Sequence, residues 1–150
     1  MSKEVRDFLY SPIHLTNKIK RKETMIRELE SCLLPSAIGY DVEKVKTSPK
    51  DQISAIMSKI DELERDIADL KKQKMQAILR VNAAINELDD EDEKTILIEF
   101  FIGRMRMYDI ARQLNYEFKY LYKLRARAIK KIAEMKKEKK EKLRRDIMEV

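Results

Sequence analysis

Between Met107 and Ala126 the chain reads MYDIARQLNYEFKYLYKLRA, and the spacing of its apolar residues predicts two short helices joined by a tight turn. Ile110 and Ala111 fall inside the first helix, and alanine is small enough for a second helix to cross close above it. Leu114 and Tyr116 flank the turn. Asn115 takes the turn position that needs a left-handed backbone, which asparagine tolerates better than most residues other than glycine. Leu121 and Leu124 then pin the second helix onto the first. The predicted core of this helix-turn-helix is Ile110, Ala111, Leu114, Asn115, Leu121 and Leu124.

With Leu121, Leu124 and Ala128 turned inward, Phe118, Lys119, Tyr122 and Lys123 point outward. Such a pairing projects that outer face into the major groove of double-stranded DNA, where side chains reach base edges. These four residues are the predicted base contacts. Arg104 and Arg106 precede the first helix, and Arg127, Lys130 and Lys131 lie further along the second; all five suit phosphates, which supply affinity rather than sequence choice. Tyr108 and Tyr116 read as packing residues. The plain alternative is a helical hairpin with a solvated basic face, since Lys and Arg are common on any exposed helix.

Working outward, Asp89-Asp90-Glu91-Asp92-Glu93 sits just before the apolar run Ile96, Leu97, Phe100, Phe101. Carboxylates there complement the dipole of a helix start, so the acidic run predicts a cap and first turn rather than an acidic tail. Upstream, Ile53, Met57, Ile60, Leu63, Ile67, Leu70, Lys74, Ala77, Val81, Ala84 and Leu88 alternate steps of three and four, and only Lys74 is out of character. That is a coiled-coil seam. Ser48-Pro49-Lys50-Asp51 supplies its start, with serine as the cap. A shorter helix is expected to begin at Ser11-Pro12, to carry the stripe Leu15, Ile19, Ile26, Leu29, Leu33, and to close at Pro35. Residues 35–48 hold Pro, Gly, Thr and Ser without periodicity and read as a connecting loop.

The expected fold is therefore all-α. Residues 1–88 form a helical coiled-coil arm, with helices over about 12–33 and 49–88. Residues 89–133 form the helix-turn-helix domain, and 134–150 a charged helical tail. The first helix is shorter than the second, so an antiparallel hairpin leaves part of the seam uncovered, which suggests a homo-oligomer through the coiled coil.

Composition agrees with helices almost throughout: the chain has only two Gly and three Pro, and 40% of it is charged with both signs interspersed. The net charge of +6 is mild, but between Phe100 and Arg145 there are 16 Lys or Arg against 5 Asp or Glu. A basic surface concentrated at one end draws polyanions. An enzyme is not expected, because little converges to build a site. His14 is the only histidine and reads as solvated, Cys32 reads as a small buried hydrophobe, and the two glycines form no phosphate loop. No cofactor or metal is expected. No apolar run has the length of a membrane span and no signal peptide opens the chain, so a cytoplasmic protein is expected.

From Leu88 through Ile132, the acidic opening, Ile96-Leu97-Ile98-Glu99-Phe100-Phe101, Asp109-Ile110-Ala111, Leu114-Asn115-Tyr116 and Arg127-Ala128-Ile129 resemble the fourth region of bacterial sigma factors. Over nearly its whole length the chain is similar to phage and prophage late-gene transcription activators of the ArpU and RinA type, in which a coiled-coil half precedes such a helix-turn-helix. The resemblance implies a bacterial host cell, a promoter or late-operon element as target, activation of phage late genes, and contact with host RNA polymerase. Three positions depart from the pattern. Gly103 stands one place before the family's loop glycine, with Arg104 where that glycine is expected; Asn115 replaces the usual turn glycine; and Glu117 stands where a capping serine is common. The alternative reading is a DNA-packaging recognition subunit, or a coiled-coil adaptor whose basic end binds an acidic partner.

Overall fold

A computed structural model describes residues 1–34 and 49–149. The protein is all-α. Its helices are α1 (Lys3–Ser31), α2 (Pro49–Asn86), α3 (Glu91–Leu97), α4 (Met107–Leu114) and α5 (Phe118–Met148), with one π-helical turn at Ile98–Ile102 between α3 and α4. No strand occurs among the described residues. The predicted loop 35–48, including the Ser48 cap, lies outside them. Two units divide the chain, His14–Lys74 on one side and Met1–Ile13 with Met75–Val150 on the other.

Within the unit His14–Lys74, α1 and α2 pair antiparallel. Ile19 is buried together with Ile60, Leu63 and Ile67, and Lys22 Nζ lies 3.2 Å from Asp66 Oδ2. The register differs from the expected seam at one place here, since Ile56 is half-buried and Met57 is exposed. With Ile56 the steps from Ile53 run three, four, three, four without a fault.

The other unit gathers the start of α1, the end of α2 and everything after it. Its larger cluster holds Val5, Leu9, Val81, Ile85, Leu88, Leu97, Phe101, Ala128, Ile129 and Ile132. The expected position Ala84 is only partly buried, and Ile85 takes the core place beside it. A helix drifts relative to a strict heptad, so a step of four at Val81–Ile85 keeps the apolar side chain pointing inward.

Two expectations about α1 are corrected. The helix starts at Lys3, not at Ser11-Pro12, and Pro12 lies inside it, buried. Proline removes the N–H that the Phe8 carbonyl needs. The Ser11 hydroxyl donates to that carbonyl at 2.7 Å, so the acceptor is still satisfied. The helix continues because Val5 and Leu9 bury an apolar face that outweighs the lost bond. As a result, the seam from Ala77 to Leu88 is not left uncovered. Ala77, Val81, Ile85 and Leu88 are all buried within the chain, and the reason for expecting a homo-oligomer through that stretch falls away.

The smaller cluster joins Ile96 of α3, Met107, Ile110 and Ala111 of α4, and Leu121 and Leu124 of α5, with Leu114 and Tyr116 packed against it. Phe100 touches both clusters. The π turn sets it there: Phe100 and Phe101 stand edge to face at 4.8 Å, and Tyr10 of α1 meets them at 6.1 and 5.1 Å. The N–H of Gly103 closes that turn onto the Ile98 carbonyl at 2.8 Å. The tail expected at 134–150 has no boundary before it, because α5 runs unbroken from Phe118 to Met148.

Candidate nucleic-acid interface

The approach to the candidate site is set by α3. Asp90 caps it, its carboxylate accepting from the N–H groups of Asp92 at 2.9 Å and Glu93 at 3.2 Å. The acidic run is thus a cap and first turn. Glu93, the last residue of the acidic run and three positions after the cap, is fully buried and makes a stronger connection than the sequence suggested. Its Oε1 accepts from Arg127 Nε at 2.7 Å and from Lys131 Nζ at 3.0 Å, and its Oε2 accepts from the same lysine at 3.1 Å. Asp90 adds a longer ion pair to Arg127, at 3.7 Å. The hydrogen bond to Glu93 holds the Arg127 guanidinium still more firmly protonated than usual. These groups tie the N-terminus of α3 to α5, so Arg127 and Lys131, placed by sequence among the phosphate contacts, balance carboxylates of their own chain.

At the turn between α4 and α5, Asn115 adopts φ 56° and ψ 38°, the left-handed conformation its position required. The N–H of Tyr116 reaches back to the Ala111 carbonyl at 3.1 Å and that of Asn115 to Arg112 at 3.4 Å, the paired bonds of a Schellman ending. Glu117 stands at the N-cap of α5 without a side-chain cap. Ile110, Ala111, Leu121 and Leu124 are buried together and Leu114 packs half-buried against them, so five of the six predicted core residues meet in one cluster, while Asn115 is exposed at the turn.

Phe118, Lys119, Tyr122 and Lys123 are all exposed on the first two turns of α5. The Phe118 and Tyr122 rings pack against each other at 4.8 Å while remaining 45% and 44% exposed. Arg125 adjoins Tyr122. It is half-buried, its guanidinium lies 4.3 Å from the Phe100 ring centre and 5.6 Å from that of Tyr122, and Nη2 donates to Tyr10 Oη at 3.4 Å. Sequence reasoning missed Arg125, because its partners Phe100 and Tyr10 come from elements far away along the chain. Tyr108 is a correction: read as a packing residue, it is 63% exposed, with Arg112 stacked at 5.9 Å. Tyr116 is half-buried against the smaller cluster, and its hydroxyl donates to Asp92 Oδ2 at 2.7 Å, a bond that raises the phenol's pKa.

Of the remaining predicted phosphate contacts, Lys130 is exposed and Arg106 is 89% exposed with a 3.5 Å ion pair to Asp109. Arg104 is exposed and holds φ 59°. Further along α5, Lys136 is partly buried with Nζ 3.3 Å from the Phe8 ring centre, and burial lowers its pKa. Lys139 pairs with Glu87 and Lys140 with Glu4, so part of the basic run also serves packing. Cys32, expected to be buried, is exposed. No helix among the described residues is long and apolar enough to cross a membrane.

Residues 41–133, more than half of the chain, match the family described as "Protein of unknown function (DUF1492)". The chain belongs to this family. Its DUF1492 region takes in α2 through the buried turns of α5, ending one residue after Ile132, the last buried side chain of that helix. The starting turns of α1, which complete the larger cluster, lie outside the DUF1492 match. No curated protein matches the chain, and no solved structure does.

Proposed function

We propose that this protein binds double-stranded DNA with sequence preference through the first turns of α5 and regulates transcription. The observation that supports this most is the exposed group Phe118, Lys119, Tyr122 and Lys123, held on a helix whose opposite face is fixed by Leu121 and Leu124 against α4. Two cations and two aromatic rings on one rigid helix face suit base edges in a major groove. In this reading Arg104, Arg106 and Lys130 contact phosphates. Arg127 and Lys131 are left out, being balanced by Glu93 and Asp90. No catalytic step is part of the proposal, nor is a homodimer. A soluble role in a bacterial cytoplasm, activation of phage late genes and contact with RNA polymerase rest on the resemblance to the ArpU and RinA type.

Selection of bound duplexes from a random library at fixed salt tests the central claim. Enrichment of a defined site is expected, and recovery of unenriched sequence would remove it. Lys123→Ala is expected to relax sequence preference by about 1–3 kcal/mol at one position. Lys130→Ala is expected instead to weaken selected and random duplexes alike and to reduce the salt slope by about 1. Binding isotherms on both duplexes at several salt concentrations check the pair. Binding upstream of late genes distinguishes a regulator from a packaging subunit, which is expected at the packaging origin.

A further inference from the structure

We infer that the Phe118–Tyr122 ring pair reads the C5-methyl group of thymine, so that the site chosen by this protein contains thymine where the start of α5 meets the groove. The inference rests on the DNA-binding reading above and gives it a chemical target. Both rings are nearly half exposed on a helix whose other face is buried, and contiguous apolar surface held in water marks a contact site. The rings are not loose. They pack edge to face at 4.8 Å, and Arg125, bonded to Tyr10 and lying over the Phe100 ring, adjoins Tyr122 at 5.6 Å.

The chemistry of the surrounding face selects among partners. Lys119 and Lys123 are exposed on the same two turns and no ion pair engages either among the described residues, so the rings stand in a cationic frame that suits a polyanion. Within a DNA major groove, the apolar group available to an aromatic ring is the thymine methyl, whereas the lysines have the guanine O6 and N7 acceptors. A mixed site of thymine beside guanine therefore fits the four residues together. An acidic protein surface is the competing occupant. It offers the lysines carboxylates and the rings aliphatic side chains, and it shows no dependence on a base methyl.

The experiment takes the duplex recovered by selection and remakes it with deoxyuridine in place of thymidine, one position at a time, which removes a single methyl and leaves base pairing intact. Wild-type affinity is expected to fall about fourfold at one or two positions, the worth of one buried methyl group. Phe118→Ala and Tyr122→Ala are each expected to bind more weakly and to lose that dependence. Both residues are exposed, and the thermal midpoint of each variant confirms that it folds. Changing cytosine to 5-methylcytosine in a weak site is expected to restore affinity for the wild type alone. An enriched site whose affinity ignores every deoxyuridine, an enriched site without thymine, or variants that keep the full methyl dependence would each overturn the inference while leaving DNA binding intact. A selection that enriches nothing, with the rings instead protected by an acidic protein, would overturn both.

Discussion

Arg104 and Gly103 divide between them two demands that a single glycine often meets. The left-handed backbone falls on Arg104, whose side chain makes that conformation cost roughly 1 kcal/mol. Gly103 has an ordinary φ of −74°, yet a Cβ there would lie 2.8 Å from the Glu99 carbonyl oxygen, which also accepts the Met105 N–H at 2.9 Å. Glycine is needed at 103 for room rather than for conformation. Arg104→Gly is accordingly expected to raise stability by about 1 kcal/mol, and Gly103→Ala to lower it by about 1–3 kcal/mol through a forced backbone shift. Chemical denaturation of the two variants beside the wild type checks both signs. Glu93 makes the opposite case, a single side chain meeting two cations. Glu93→Gln keeps the shape but removes the charge-assisted bonds, and a loss of about 2 kcal/mol is expected in the same measurement.

At the scale of elements, the turn into α5 was legible because its determinants are local: Asn115, Leu121 and Leu124 announce the left-handed residue and the two pinning contacts within a few positions. The start of α1 was not. Pro12 looks like a beginning when only its own missing N–H is considered, and it becomes an interior residue once Ser11 satisfies Phe8 and Val5 and Leu9 find Val81 and Ile85 at the far end of α2. Burial of Glu93 was equally hidden, since Arg127 and Lys131 lie more than thirty positions away. Met57 and Ile56 are adjacent apolar residues, and only packing chooses between them. The contact between α3 and the turn carries a pH signature. The Tyr116 phenol, bonded to Asp92, has a folded pKa above its ordinary 10.0, so the proton is held more tightly in the folded state. That stabilisation is fully present below pH 10 and is lost as pH rises through the raised value. The difference in unfolding free energy between wild type and Tyr116→Phe is expected to be constant near neutrality and to shrink toward zero in strong alkali.

For the molecule as a whole, the division into an arm and a head does not follow chain order. Residues 1–13 belong with the head, where Val5 and Leu9 are buried against Ile85, Phe101 and Ile129, and no local pattern marks this because the partners arrive some eighty to one hundred and twenty positions later. Deleting residues 1–13 is expected to expose that apolar floor. Increased binding of a hydrophobic dye and a broadened thermal transition should report it, whereas a variant that unfolds as sharply as the full chain would show that the head is complete without them.

The unbroken run of α5 carries one more implication. No Gly or Pro occurs from Phe118 to Met148, so roughly 30–45 Å of continuous rod separates the aromatic pair from Leu143 and Ile147. Inserting a single alanine after Glu138 should swing everything beyond it by about 100° around the axis while leaving the leading turns as they are. A fluorophore on the distal end thus becomes an angular pointer, whose distance to a dye on a duplex bound as proposed should oscillate with each added residue.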